Sequence, residues 1–276
     1  MKDTKIIMLG TGSPRPDAER SGPSQVITVD DYPILIDCGD GTSTQLMKAG
    51  IQPRDINYLW LTHLHSDHLF GYAQFLIAGW STGREKLTVI GPKGTKKFHQ
   101  QVLEIFKDDI DYRLSVGRRK EGILDVNIIE IEEAGTIQSD FPYRVITEEM
   151  VHNVTTYAFR FEIGDKSIVI SGDTAPTQAL VTLSENADVL IHDCCMVDDY
   201  GKQQTTDPKM KVIWNNLLKE HCTPEQAATT AKKADVKKLV LTHFLPNANV
   251  ESAYVEATEC YSGEVIIGED LKIIKV

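Results

Sequence analysis

No stretch of this 276-residue sequence stays apolar for long; runs such as Leu239-Val240-Leu241 fall far short of the ~18–20 residues that a bilayer-spanning helix needs. No membrane partner is therefore expected. The opening MKDTKIIMLG passes from charged residues straight into a short strand pattern. It has no apolar h-region and no cleavage site, so no secretory signal is expected. Cysteine is scarce: Cys38, Cys194, Cys195, Cys222 and Cys260 form no CxxC and leave one thiol over in any pairing. That excludes a complete disulfide framework and suits a reducing, cytoplasmic location. The adjacent Cys194 and Cys195 read as two small residues at the end of a buried strand. Positive charge is also short, with 29 Lys and Arg against 40 Asp and Glu and a net charge of −11. Broad nucleic-acid binding relies on cationic surface and is disfavoured, though a local basic patch or a metal pair could still attract a phosphate. Missing as well is the third glycine of a dinucleotide-binding GxGxxG. After Gly10-Thr11-Gly12, position 15 is Arg, and Pro14 stands where a helix would open. The loop reads as a plain turn rather than a phosphate cradle.

The remainder has the composition of a globular protein, 41% hydrophobic and 25% charged, enough for a substantial core. Short strand patterns recur from end to end, among them Lys5–Leu9, Ile34–Asp37, Tyr58–Thr62, Thr156–Ile163, Ser167–Ser171, Val189–His192, Lys238–Thr242 and a final hairpin over Val265–Lys275. Helical patterns interleave at Ser43–Ala49, Phe70–Ala78, Thr95–Phe106, Thr177–Ser184 and Thr223–Ala234. The last begins on a capping box, with Thr223 as cap, Pro224 at the first helical position and Gln226 three residues on. Each half runs from strands through helix to strand, without a linker or a repeat. This predicts one α+β domain of sandwich type over residues 1–276. Residues 98–142 find no clear role, and their basic cluster (Arg113, Arg118, Arg119, Lys120) reads as solvated surface. His99 is expected on the exposed face of its helix, and His192 as a packed strand-end residue.

Chemistry concentrates in His63-Leu64-His65-Ser66-Asp67-His68, directly after the apolar Tyr58-Leu59-Trp60-Leu61. A strand that ends on such a cluster delivers three imidazoles and a carboxylate into one small volume. Neutral imidazole and carboxylate suit zinc and related divalent ions. Other candidate ligands share the same placement: His152, Asp173 and His243 each follow a strand pattern. A lone His or Asp at a strand end is more often structural. Several such placements around one cluster instead predict convergence on a common rim. Asp37 closes another strand and could accept a proton from a ligand imidazole, or equally form a turn before Cys38.

HLHSDH, the later His152, SGDT at 171–174 and LTH at 241–243 resemble the metallo-β-lactamase superfamily, in order across nearly the whole chain. Ile191-His192-Asp193-Cys194 resembles the "HEAT" segment of ribonuclease Z, and His221-Cys222-Thr223 its "HST" segment. LGTGSP and ILIDCGDGT are similar to the same branch. Arylsulfatase-like and small phosphodiesterase relatives share these features. The resemblance implies a four-layer αββα sandwich and two divalent metal ions, with zinc expected first and manganese or iron as alternatives. By the same resemblance His63, His65 and His152 hold one ion, Asp67, His68 and His243 the other, and Asp173 bridges. Two such ions activate water and stabilise charge on an attacked ester. Asp67, His221 and Asp193 then form the catalytic set, His221 as general acid and Asp193 as its orienting partner. Ribonuclease Z has Glu at that position, so the shorter Asp predicts a displaced or water-mediated contact. A homodimer is also implied.

The ribonuclease Z family typically grips transfer RNA with a long arm between the third-ligand histidine and SGDT. Here only the residues from His152 to Asp173 lie in that interval, enough for a two-stranded hairpin. The expected function is therefore phosphodiester hydrolysis of a small anionic substrate, with nucleic acid possible but disfavoured. The alternatives are a ribonuclease Z-type transfer-RNA 3′-end endoribonuclease and an arylsulfatase-like or lactone/amide hydrolase.

Overall fold

The computed structural model describes residues 3–197 and 207–276. In β1 (Thr4–Gly10), Ile6 and Met8 point to one face while Ile7 and Leu9 point to the other, as the two-residue period of a strand requires. All four are buried, so this strand is covered on both sides. β2 (Ser24–Val29), β3 (Tyr32–Ile36), β4 (Tyr58–Trp60), β5 (Thr88–Pro92) and β6 (Asn127–Ile131) follow it, and β14 (Ile273–Lys275) closes its other edge. Their order is β14-β1-β2-β3-β4-β5-β6, with antiparallel pairing up to β3 and parallel pairing from β3 to β6.

The second sheet has the order β13-β12-β11-β10-β9-β8-β7. It comprises β7 (Gly135–Thr136), β8 (Arg144–Glu149), β9 (Tyr157–Ile163), β10 (Lys166–Ile170), β11 (Val189–Asp193), β12 (Lys238–Thr242) and β13 (Glu264–Ile267). β10 to β13 pair in parallel. Between the sheets lies a core centred on Trp60, whose ring meets Phe159 and Phe161 edge-on at 5.4 Å each.

Helices cover both outer faces. α1 (Thr42–Lys48), α2 (Tyr72–Ser81), α3 (Thr95–Ile105) and α4 (Lys107–Ser115) bury Leu46, Phe75, Val102 and Ile110 against the first sheet. Over the second lie α5 (Gln178–Leu183), α7 (Pro224–Lys233) and α8 (Val250–Cys260), packing Leu180, Ala227, Ala231 and Ala253. α6 (Pro208–Leu217) lies at the side and leans through Trp214 and Leu217 on Cys195, Met196 and Leu245. The layers are helix, sheet, sheet, helix, the αββα sandwich expected from the resemblance. The α7 capping box forms as read, with Gln226 N donating to Thr223 Oγ1 at 3.2 Å and Thr223 N to Gln226 Oε1 at 2.9 Å.

Three expectations require correction. Val265–Lys275 is not a hairpin: β13 joins the second sheet beside β12, β14 joins the first beside β1, and the chain between them crosses the edge of the sandwich. His99 is buried rather than exposed, because the face of α3 that carries it turns toward Tyr72, whose hydroxyl lies 2.8 Å from His99 Nδ1. α4, α6 and α8 lie where no helical pattern was read. Gly10 is forced by packing: a Cβ there would stand 1.9 Å from the carbonyl oxygen of Gly22. The GTG loop is thus a tight crossing of two chain segments, in keeping with the turn reading. No helix among the described residues is long and apolar enough to cross a membrane.

Candidate metal centre

β3, β4, β10, β11 and β12 end on one rim of the sandwich, and the residues at or just past those ends include Asp37, Thr62, His63, Asp173, Asp193 and His243. The 3₁₀ turn Ser66–His68 folds Asp67 and His68 inward, and both are buried. Asp37 (φ 54°) and His243 (φ 67°) adopt left-handed backbone conformations that non-glycine residues avoid at a cost of about 1 kcal/mol. Hydrogen bonds hold the two places: Asp37 N donates to Trp60 O at 2.8 Å, and Phe244 N to Thr11 O at 2.9 Å. Gly172 is also left-handed, at φ 61°, and a Cβ there would press on Thr62 at 3.0 Å and on Thr156 at 3.1 Å.

The side chains converge on Asp173. Its carboxylate lies 3.6 Å from His63 Nε2, 3.4 Å from His68 Nε2, 3.4 Å from His243 Nε2 and 3.9 Å from His152 Nε2. Asp67 Oδ2 lies 3.2 Å from His243 Nε2 and 3.7 Å from His68 Nε2. His65 Nδ1 faces His152 Nε2 at 3.2 Å. Among the described residues four overlapping groups could hold a cation: His63, His65, His152 with Asp173; Asp67, His68 with His243; Asp173, Asp193, His221 with His243; and Cys195, His221 with His243. The first two coincide with the sets that the resemblance implies.

Neighbouring groups fix the tautomers. His68 Nδ1 donates to Asp37 Oδ2 at 2.9 Å, and His152 Nδ1 donates to the Glu220 carbonyl at 3.0 Å. Thr62 Oγ1 bonds to Asp37 and sits 3.0 Å from His63 Nδ1, so that ring's proton also faces outward. With the rings neutral, as a metal ligand must be, the three Nε2 lone pairs turn inward toward carboxylate oxygens. Lone pairs facing carboxylates repel unless a proton or a cation lies between them. His63 Nε2 and His68 Nε2 are buried without hydrogen-bond partners, as metal-ligating atoms would be. The donor set of imidazoles and carboxylates fits divalent ions of the zinc class.

Charge is strongly redistributed here. Burial alone would raise the Asp67 carboxyl, but the bond from His243 and the neighbouring imidazoles bring it down to about 2. Asp173 behaves alike: burial opposes ionisation, and His243, His68 and His63 still hold it well below the usual carboxylate range. Burial works against protonation of His68, yet Asp173 and Asp37 push it up to about 10. His63 moves the other way, lowered by burial and by His68. A clustered set of opposed shifts of this kind is typical of functional sites.

His221 Nδ1 donates to Asp193 Oδ2 at 2.8 Å. The contact is direct, not displaced, because the backbone amides of Cys195 (2.9 Å) and Thr174 (3.3 Å) hold the Asp193 carboxylate from both sides. Burial would lower the His221 imidazole, but Asp193 outweighs it and raises the pKa above its ordinary value. The other oxygen of Asp193 lies 3.6 Å from His243 Nδ1. His221 and His243 stack with rings 5.5 Å apart and 15° from parallel. Cys195, next to the end of β11, also has its thiol against His243, so it is more than a small filler.

All nine residues singled out for chemistry gather at this rim, and Asp37 bonds to one of them. His192 is fully buried, with Nδ1 on the Asp193 carbonyl. The basic cluster lies apart from the rim: Arg118 bonds to Ser81 O, and Arg119 pairs with Glu85. The roles of Thr62 and the Glu220 carbonyl, and the contact of Cys195 with His243, are not legible in the sequence. A backbone carbonyl leaves no residue-type signal, and Thr62 and Cys195 matter only through their neighbours. A cleft of about 480 Å³ reaches the centre at Asp67, walled by residues of the 13–22 loop and by Phe70.

The family described as Anti-Pycsar protein Apyc1 matches residues 4–207. A ribonuclease Z of Mycobacterium sp. (strain KMS) is 33% identical over 279 residues, covering 99% of this chain and 96% of its own. A ribonuclease Z of Mycobacterium bovis (strain BCG / Pasteur 1173P2) is 32% identical over 284 residues, with 99% and 98% covered. Among solved structures, the metallo-β-lactamase fold protein YhfI from Bacillus subtilis superposes with a TM-score of 0.79 at 21% identity, over 100% of both chains. Human short-form tRNase Z gives 0.73 at 25% identity, over 99% of both. With its sandwich, its rim of imidazoles and carboxylates and these full-length matches, the chain is a metal-dependent hydrolase that belongs to the ribonuclease Z-like branch of the metallo-β-lactamase superfamily.

Proposed function

We propose that the protein hydrolyses the phosphodiester bond of a small anionic substrate at a centre of two divalent ions, zinc first, with manganese and iron as alternatives. The observation that carries this reading is the His221–Asp193 pair beside seven converged donors. His63, His65 and His152 would hold one ion, and Asp67, His68 and His243 the other, with Asp173 between them. Bound there, the ions supply Lewis acidity and an activated water near neutral pH. Asp37, Thr62 and the Glu220 carbonyl keep three imidazole lone pairs aimed inward. Asp193 keeps a proton on His221, whose Nε2 hands it to the departing oxygen. The interval from His152 to Asp173 holds only β9, the Gly164-Asp165 turn and β10, which supports a small substrate over transfer RNA.

The full-length relatives named ribonuclease Z carry a second reading, transfer-RNA 3′-end cleavage. Metal-replete protein assayed on bis(p-nitrophenyl) phosphate, a pre-transfer RNA and p-nitrophenyl sulfate separates the cases. Turnover of the diester without cleavage of the RNA is expected. Accurate RNA cleavage would establish the second reading instead, and preference for the sulfate would point to an arylsulfatase-like enzyme.

A further inference from the structure

The C-terminal crossing that replaces the expected hairpin carries one carboxylate with an unusual load. Asp270 Oδ1 accepts from Thr11 N at 3.0 Å and Thr11 Oγ1 at 2.9 Å, while Oδ2 accepts from Ser21 N at 2.7 Å and Gln45 Nε2 at 2.8 Å. These four donors come from both ends of the 11–21 loop and from α1. Arg20 locks the same junction, donating to Thr11 Oγ1 and Gly268 O while its guanidinium lies 4.8 Å over the Phe244 ring. Thr11 O in turn accepts from Phe244 N, next to the left-handed His243. Hydrogen bonds to a carboxylate are roughly twice as strong as those between neutral groups, so four of them together hold the groups around it in place. The loop it fixes supplies much of the lining of the cleft at Asp67, including Ser13, Arg15 and Ser21, with Phe70 and Asp40 lining the rest.

We infer that Asp270 is a positioning residue for substrate: it sets the 11–21 loop as the wall of the cleft and so governs how well substrate is held, without touching the reacting atoms. This rests on the reading of that cleft as the path of substrate to the metal centre. The result to look for is a split between KM and kcat. Asp270→Ala should raise KM for bis(p-nitrophenyl) phosphate about fivefold or more, with kcat within about twofold and metal content unchanged. Asp270→Asn keeps one acceptor for Thr11 but turns an amide toward Ser21 N and Gln45, and should fall between Ala and wild type. Thr11→Val, which loses only the hydroxyl, should shift KM in the same direction and serves if Asp270→Ala does not fold. Hydrogen exchange should quicken at Thr11 and Ser21 in the Asp270 variants while the 63–68 segment stays protected. KM at the wild-type value in folded, metal-replete variants would overturn the inference, as would loss of metal or of kcat alone. If wild-type protein ignores the diester, the proposed function fails instead. The exchange pattern then still decides whether Asp270 holds the loop: unchanged exchange at Thr11 and Ser21 overturns it.

Discussion

Asp193 serves two imidazoles with one carboxylate, bonding His221 through one oxygen and facing His243 Nδ1 with the other. Its shorter side chain, where the family pattern has Glu, still reaches because two backbone amides steer it. His221→Ala should therefore reduce turnover about 100-fold or more while both ions stay bound, since only a proton donor is lost. Metal analysis beside kinetics checks this, and loss of the ions would contradict it. The pH dependence has a definite sign. Asp193 raises His221 against burial, so the acid form persists above the ordinary histidine pKa and activity falls as pH rises through the raised value. In Asp193→Asn burial acts without that counterweight, and the basic limb of the kcat profile should move to lower pH; a limb that stays in place would refute the pairing. Asp173 contacts imidazoles of both donor groups, so Asp173→Ala should lower the bound metal from two ions to one or none. The residues that converge at the rim are legible because His and Asp announce their chemistry in the sequence. Thr62 and the Glu220 carbonyl are not, because their roles exist only once strands from distant segments meet.

α3 presents a different lesson. Its amphipathic pattern is plain in the sequence, but His99 lies on the buried face rather than the exposed one, and burial beside Tyr72 lowers its imidazole to about 4. Because the folded pKa lies below the unfolded value near 6.5, the unfolded chain binds a proton first as pH falls. The stability present above pH 6.5 should drop by about 2 kcal/mol between there and pH 4. His99→Asn, which keeps an acceptor for the Tyr72 hydroxyl, should flatten that part of the profile in denaturant melts at several pH values; an unchanged slope would count against the burial argument. Helix starts were legible where caps and apolar pattern agreed, as at Thr223. At α6 and α8 the caps were present, with Asp207 Oδ1 accepting from Lys209 N and Asn249 Oδ1 from Ser252 N, but the apolar pattern was too weak to confirm them. α4 follows α3 with no Gly or Pro to mark the break. The alternation over Val265–Lys275 gave two strands correctly and their partners wrongly, since a strand's neighbour is chosen by the whole sandwich.

At the scale of the molecule, the two seven-stranded sheets of the described residues press the ends of their parallel strands onto one rim, and every proposed ligand lies at or beside that rim. The four layers were legible only through resemblance, because alternation and turns fix strands but not which sheet each joins. The net charge of −11 and the short β9–β10 hairpin are what the proposal of a small substrate rests on. The claim on which the whole account turns is a two-ion centre that hydrolyses a diester. Apoprotein prepared with a chelator and titrated with zinc, with bis(p-nitrophenyl) phosphate turnover followed against bound metal, tests it most directly. The account predicts no turnover without metal and a rise that levels off at two ions per chain. Full activity at one ion, or turnover that survives removal of the metal, would contradict it.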